Sequence, residues 1–381
     1  MRYKEVFLGE LCENVLTGGT PSTDNPDNWN GDLPWVSSAD IVDHKTLHIR
    51  KGLSNETRPN VLPAGNILVV TRVGLGKAII NETDISFSQD IQGLILKKEL
   101  VSARYLLYAL IKKLDRFKQI ARGATIKGVT RNDLVSIKVP LPPLHIQEQI
   151  ADTLDKADAL RKKDQELLRK YDELSQAIFN DMFGDPVRNE RGWDYKTLEQ
   201  ISIGRGQYGS ASPSVEYTPD KYRYVRITDI NEQGILNDAR VSSSDNNREY
   251  ELVEGDLLFA RSGATVGKVY MYKESDGPCI YAGYLIRFKV NRDLVLPEYV
   301  FSFCKTKYYK NWVASKQNVV AQPNINATQY GSELLIPLPP LRHQMRYVEL
   351  NKMNDKSIYE ITKTLKKSDG IYNYLLQSFF S

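Results

Sequence analysis

Two glycine-lysine pairs are the residues most suggestive of chemistry, because backbone amides in a glycine-rich turn followed by lysine can cradle phosphates. Thr71-Arg-Val-Gly-Leu-Gly-Lys77 lacks the first glycine of such a loop and runs on into Ala78, and Gly263-Ala-Thr-Val-Gly-Lys268 is one residue too short and runs on into Val269. Neither has the spacing or the following Ser or Thr of a nucleotide site. The four histidines, His44, His48, His145 and His343, stand outside HExxH and away from any cysteine pair, so no metal is expected. His44 and His48 read as loop and strand. An S-adenosylmethionine-dependent methyltransferase would need a glycine-rich cofactor loop and a short Asn/Asp-Pro-Pro-aromatic motif, whereas the paired prolines here are flanked by leucines. Asp152 and Asp155 sit in a highly charged helical stretch and read as a solvated face. No catalytic residue is assigned, and this chain is not expected to be an enzyme.

Composition agrees. The 381 residues are 41% hydrophobic and 26% charged, the balance of a folded protein with room for two domains. The longest aliphatic runs, such as Ile67 to Val70, are too short to span a bilayer, and residues 1 to 16 lack an apolar leader, so a cytoplasmic protein is expected. Cys12, Cys279 and Cys304 are scattered and odd in number, and read as reduced, packed thiols. A net charge of +4 is weak support for nucleic-acid binding, so partners or clustered basic residues would have to supply the phosphate contacts.

The chain is written twice. Val139-Pro-Leu-Pro-Pro-Leu144 followed by Gln147 returns as Ile336-Pro-Leu-Pro-Pro-Leu341 followed by Gln344, offset by 197 residues. Trp35-Val36 with Asp40-Ile41 returns as Tyr224-Val225 with Asp229-Ile230, and Leu8 before Leu11 as Leu198 before Ile201. A third block matches Gly65-Asn-Ile-Leu-Val-Val-Thr-Arg72, leading to Gly76-Lys77, with Gly255-Asp-Leu-Leu-Phe-Ala-Arg261, leading to Gly267-Lys268. A shared frame with divergent content suggests one scaffold reading two different things; a duplication kept for stability alone is the plainer alternative.

The prolines stiffen each Pro-Leu-Pro-Pro-Leu and delay helix formation until it ends. From His145 to Phe183 there is no proline or glycine, and Gly184 and Pro186 then close the helix. Leu160, Leu167, Leu174 and Ile178 fall on a heptad-like seam, interrupted by Asp164. His343 to Phe380 repeats the plan with Ile358, Ile361, Leu365 and Leu375, weakened by Asn354 and Ser368. Two helices with one apolar seam each are expected to pair as an antiparallel coiled coil; packing of each on its own domain is the alternative. Short apolar runs at Ile67 to Thr71, Ile91 to Leu96, Leu257 to Ala260 and Tyr284 to Phe288 read as strands, with helices near Ala103 to Lys118 and Pro297 to Lys310. The expected fold is therefore α/β (α+β). A globular domain over 1–139 and a long helix over 140–186 are followed by a second domain over 187–336 and a second helix over 337–381.

These features together resemble the specificity subunits of Type I restriction-modification systems, along essentially the whole chain. The resemblance rests on the repeated Pro-Leu-Pro-Pro-Leu with its glutamine, on Leu33-Pro-Trp-Val-Ser-Ser-Ala-Asp-Ile41, and on Gly255-Asp-Leu-Leu-Phe-Ala-Arg-Ser-Gly-Ala-Thr-Val-Gly-Lys268. It implies that each domain is a target-recognition domain reading half of a split, asymmetric site in double-stranded DNA. The helices would act as spacer and as dock for two methyltransferase subunits, with restriction-translocase subunits outside them. S-adenosylmethionine, ATP and magnesium would be used by those partners, and none would be bound here. Candidate DNA contacts are Ser37, Ser38, Arg72, Lys77, Arg122, Thr125 and Lys127 in the first domain, and Arg226, Arg261, Ser262, Lys268, Gln317, Asn318 and Asn324 in the second. The segment from Gln317 to Gln329 is richer in amides than Arg122 to Arg131, so the domains need not read alike. Two other readings remain open at this level: a methylation-only or other phage-defence system, and a coiled-coil adaptor between proteins that binds no DNA.

Overall fold

The computed structural model describes residues 3–54, 60–121, 128–317 and 324–380. The chain forms two compact units, Met1–Asp164 with Thr364–Ser381, and Gln165–Lys363, so each takes part of both long helices.

The first unit holds strands β1 (Glu5–Phe7), β2 (Cys12–Thr17), β3 (Trp29–Val36), β4 (Lys51–Leu53), β5 (Val61–Leu62), β6 (Ile67–Val70), β7 (Ala78–Ile80), β8 (Ile85–Phe87), β9 (Ile91–Leu96) and β10 (Lys138–Pro140). With them go helices α1 (Ala103–Ala121), α2 (Arg131–Val135) and the first half of α3 (Leu144–Phe183). One four-stranded sheet has the order β2-β9-β6-β7, a second β4-β3-β8-β5, and β1 pairs with β10. Ile67, Leu68, Val69 and Val70 are all fully buried, because β6 is covered on both faces, which explains an unbroken apolar run where an exposed face would force alternation.

The second unit holds β11 (Tyr195–Thr197), β12 (Gln207–Tyr208), β13 (Ser214–Glu216), β14 (Arg223–Val225), β15 (Val241–Ser243), β16 (Leu257–Ala260), β17 (Val269–Met271), β18 (Cys279–Tyr281), β19 (Leu285–Phe288) and β20 (Leu335–Pro337). Its helices are α4 (Pro297–Phe303), α5 (Lys307–Gln317), α6 (Ala327–Glu333) and part of α7 (Leu341–Phe380). The sheet β12-β19-β16-β17 repeats β2-β9-β6-β7, and β11 with β20 repeats β1 with β10. The helix expected from Pro297 to Lys310 is two helices, α4 ending at the Cys304 cap and α5 starting at Lys307.

Gln147 and Gln344, both fully buried, do the same work in the two units. The Gln147 amide donates to Pro142 O (2.8 Å) and Leu100 O (2.9 Å) while its oxygen accepts from Ser102 N (2.8 Å). Gln344 donates to Pro339 O (2.7 Å) and Leu294 O (3.3 Å) and accepts from Leu296 N (2.8 Å). Each glutamine thus ties the proline segment to the chain entering the preceding helix.

The long helices are 40 residues each. In the first unit they run antiparallel, since Asp164 meets Ser368 and Arg161 lies over Tyr372. In the second, Tyr171 and Ser175 meet Asn354, and Phe179 and Phe183 meet Tyr347. The seam differs from the one expected. Leu160 and Leu174 are 49% and 47% exposed and Leu167 is half-buried, while Leu154, Asp158, Asp164, Leu168, Ser175, Phe179 and Phe183 are buried. On α7, Ile358 is buried with Asn351, Asn354, Ser368, Tyr372 and Leu376; Ile361, Leu365 and Leu375 are half-buried, as is Ile178 on α3. The buried stripe carries polar residues that bond across it, so a search for leucines settles on positions rotated off it. Ser368 Oγ donates to Asp164 (2.9 Å), and Ser175 Oγ to Asn351 Oδ1 (3.3 Å).

Candidate nucleic-acid interface

In each unit a strand that pairs in parallel leads into a tight turn. Trp35 and Val36 lie opposite Ser86 and Phe87, and Tyr224 and Val225 opposite Ile280 and Tyr281. The next turn is closed by a buried carboxylate: Asp40 accepts from Ser37 N (2.9 Å), and Asp229 from Arg226 N (2.9 Å). Isolated bridges Ile41 to Leu47 and Ile230 to Leu236 then fold the chain back.

Both glycine-lysine loops serve this turn. Lys77 Nζ donates to Ile41 O (2.8 Å), and Lys268 Nζ donates to Ile230 O (3.3 Å) and pairs with Glu232 (2.8 Å). The lysines therefore clamp one loop to another, and the turn glycines Gly76 and Gly267, at φ of 92° and 87°, supply the left-handed bend before them.

The other predicted contacts divide into engaged and open groups. Ser38 is buried, Ser37 Oγ donates to Asp40 (2.6 Å), and Arg226 makes two side-chain bonds to Asp229. That pairing, with Asp229 as the dominant influence, raises the Arg226 pKa further. Arg72 and Asn324 are exposed, while Arg261, Ser262 and Gln317 are half-buried. Ser262 forms a bridge with Asn324, and the Arg261 guanidinium lies 4.8 Å from the Tyr208 ring centroid. Arg122, Thr125, Lys127 and Asn318 lie outside the described residues.

Aromatic-cation groupings were not found from sequence. Lys51 Nζ stands 4.9 Å from the Trp29 ring and 5.8 Å from that of Trp35, and the two rings meet edge to face at 5.1 Å. Two tryptophans six residues apart in one strand were the available signal. Such groupings of a cation with aromatic rings suit nucleobases and sugar-phosphate alike.

The loop carrying the first turn is anchored on α3. Asp158, whose side chain is fully buried, accepts from His44 Nε2 (3.2 Å), Lys45 (3.1 Å) and Arg161 (2.7 Å). Asp155 pairs with Lys45 (2.9 Å) and Arg104 (2.9 Å) and accepts from Tyr108 OH (2.7 Å); Arg104 also holds Asp152 (2.7 Å) and Glu148 (2.6 Å). The reading as a solvated face holds for Asp152, which is exposed although paired with Arg104, and is corrected for Asp155, which is half-buried because α1 and the loop bring their cations onto it. Burial pulls both Asp155 and Asp158 upward, but hydrogen bonds from these donors outweigh it and hold the carboxyls below their ordinary range, Asp158 far below.

All three cysteines are free and buried, and burial raises their thiol pKa values, Cys12 to about 11 and Cys279 to about 12. Among the described residues no group of three or more His, Cys, Asp or Glu side chains could hold a metal ion, and no helix is long and apolar enough to cross a membrane.

A duplicated α+β frame with differing loops on equivalent turns defines a two-unit recognition protein. The profile of the Type I restriction modification DNA specificity domain matches residues 2–169 and again 190–369. The chain belongs to this family, and its function is DNA sequence recognition in a Type I restriction-modification system. It is 26% identical over 312 residues to the Type I restriction enzyme MjaIX specificity subunit of Methanocaldococcus jannaschii, covering 69% of this chain and 70% of that one. To the MjaVIII specificity subunit of the same organism it is 24% identical, covering 93% and 87%. In fold it is similar to the crystal structure of the Type I restriction-modification S subunit from M. genitalium, with a TM-score of 0.59 at 16% identity over 100% of this chain and 96% of that one.

Proposed function

We propose that each unit reads one half of a bipartite, asymmetric site in double-stranded DNA, and that the paired long helices set the unread spacing between the halves. The observation that carries this reading is the repetition of one frame, bond for bond at Gln147 and Gln344 and in the bonds of Lys77 to Ile41 O and Lys268 to Ile230 O, under loops whose residues differ. The DNA-facing residues of this reading are the open ones, Arg72, Arg261, Ser262, Gln317 and Asn324, together with Arg122, Thr125, Lys127 and Asn318. Ser37, Ser38, Lys77, Arg226 and Lys268 shape the turns that present them.

The chain in this reading is non-catalytic and cytoplasmic and binds no cofactor. It assembles with two methyltransferase subunits, which use S-adenosylmethionine, and with restriction-translocase subunits, which use ATP and magnesium. A methylation-only assembly would use the same chain without the latter.

Seven residues inserted in both helices, after Glu173 and after Asn354, test the spacer role. The insertion adds about 10 Å at about 1.5 Å per residue and keeps the heptad phase. Sequencing of methylated sites in cells carrying the variant should show the same letters in both half-sites and a spacer about three base pairs longer. An active variant with an unchanged spacer would contradict it.

A further inference from the structure

Strand register makes the two units comparable residue by residue. Val69 lies opposite Gln92 and Ala78, and Phe259 opposite Ile286 and Val269, so Val69 and Phe259 are equivalent, as are Gln92 and Ile286. Thr17 pairs with Gln92 and Tyr208 with Ile286, which makes Thr17 the counterpart of Tyr208. Beyond the central strand, Thr71 N donates to Asp90 O (2.9 Å) and its carbonyl accepts from Val129 N (2.7 Å). Arg261 N donates to Tyr284 O (3.0 Å) and its carbonyl accepts from Ile325 N (2.8 Å). Thr71 is therefore the counterpart of Arg261, Arg72 of Ser262, and Gly128 of Asn324. The sequence match of Arg72 with Arg261 is off by one residue.

Three framework positions that meet at one place thus hold Thr17, Thr71 and Gly128 in the first unit and Tyr208, Arg261 and Asn324 in the second. The first set is small: at Gly128, φ is +107° and a Cβ would come within 2.7 Å of Thr71 O. The second set is a built support. The guanidinium of Arg261 stacks over the Tyr208 ring, its Nε donates to Asn324 Oδ1 (3.3 Å), and the Tyr208 hydroxyl is fixed by the Ala327 amide (3.1 Å). Among the described residues no carboxylate pairs with Arg261, in contrast to Arg205, Arg226 and Arg287. Its terminal amino groups are left for a partner beyond the described residues, in a plane held from one face and one edge.

We propose that Arg261, positioned by Tyr208 and Asn324, reads a guanine in the half-site of the second unit, and that the first unit has no counterpart of this reader. The proposal rests on the DNA-reading role assigned to the units. Guanine offers two coplanar acceptors, N7 and O6, in the major groove, which a fixed guanidinium meets with two parallel bonds. An ammonium has the charge but not the fork.

The test uses the chain assembled with its methyltransferase and a panel of duplexes in which each base pair of the methylated motif is replaced in turn, read as the ratio of Kd values. Arg261→Lys and Arg261→Gln should each bring the ratio at a single G·C pair of one half-site down by on the order of ten- to a hundredfold. Ratios in the other half-site should stay as they were. Tyr208→Leu should lower that same ratio by less and no other. If Arg261→Lys keeps every ratio, or if Arg261→Gln weakens all duplexes by one common factor, the arginine contacts phosphate and the proposal is overturned. Should the arginine variants not fold, Tyr208→Leu decides alone: unchanged ratios reject the proposal. A wild-type complex with no discrimination anywhere in that half would instead reject the DNA-reading role itself.

Discussion

Asp158 shows how far a single residue can depart from its apparent role in a sequence. It lies in the same highly charged helical stretch as Asp152 and Asp155, yet its side chain is fully buried under His44, Lys45 and Arg161. Nothing in the stretch itself reveals this, because two of its partners come from a loop more than a hundred residues away. The glutamines were legible as repeated letters, though not as the buried locks they are. Because the folded carboxyl of Asp158 titrates far below its unfolded value of about 4, its contribution is complete above that pH and is lost as pH falls toward the folded value. Asp158→Asn should therefore lower the unfolding free energy of the first unit by about 3 kcal/mol near neutral pH. In denaturant titrations the gap between variant and wild type should narrow steadily below about pH 4; a gap that stays constant to pH 2.5 would show that the carboxylate is not the stabilising form.

Among the elements, the long helices were the most legible: neither proline nor glycine falls between His145 and Phe183, and the second helix repeats that plan despite Gly370 inside it. Their phase was not. The buried stripe includes Asp158, Asp164, Ser175, Asn351, Asn354 and Ser368, and each lowers the apolar signal that would mark it. Short strands were recovered where both faces are buried, as at Ile67–Val70 and Leu257–Ala260, and missed where they are short and exposed, as at Ser214–Glu216. The corrected phase separates two leucines on one helix. Leu168→Asp places a charge in the seam and should cost the second unit several kcal/mol, seen as a lower melting temperature of the purified chain. Leu160→Asp, on an exposed site, should stay within about 0.5 kcal/mol of wild type. Equal losses for the two would restore the leucine seam.

At the scale of the whole molecule, duplication was the strongest signal, since repeated motifs in the same order are independent of any one element's placement. What repeats is the support: paired β-strands, a carboxylate-closed turn, a lysine clamp and a glutamine lock. What differs is the set of side chains those supports present, with Thr17, Thr71 and Gly128 standing where Tyr208, Arg261 and Asn324 stand. The central claim is that the units read independently, and exchanging residues 195–335 for the corresponding segment of another specificity subunit tests it most directly. Sequencing of methylated sites in cells that carry the exchanged chain should find one half of the motif replaced and the other half and the spacer unchanged. A motif altered in both halves, or in neither, would contradict the account.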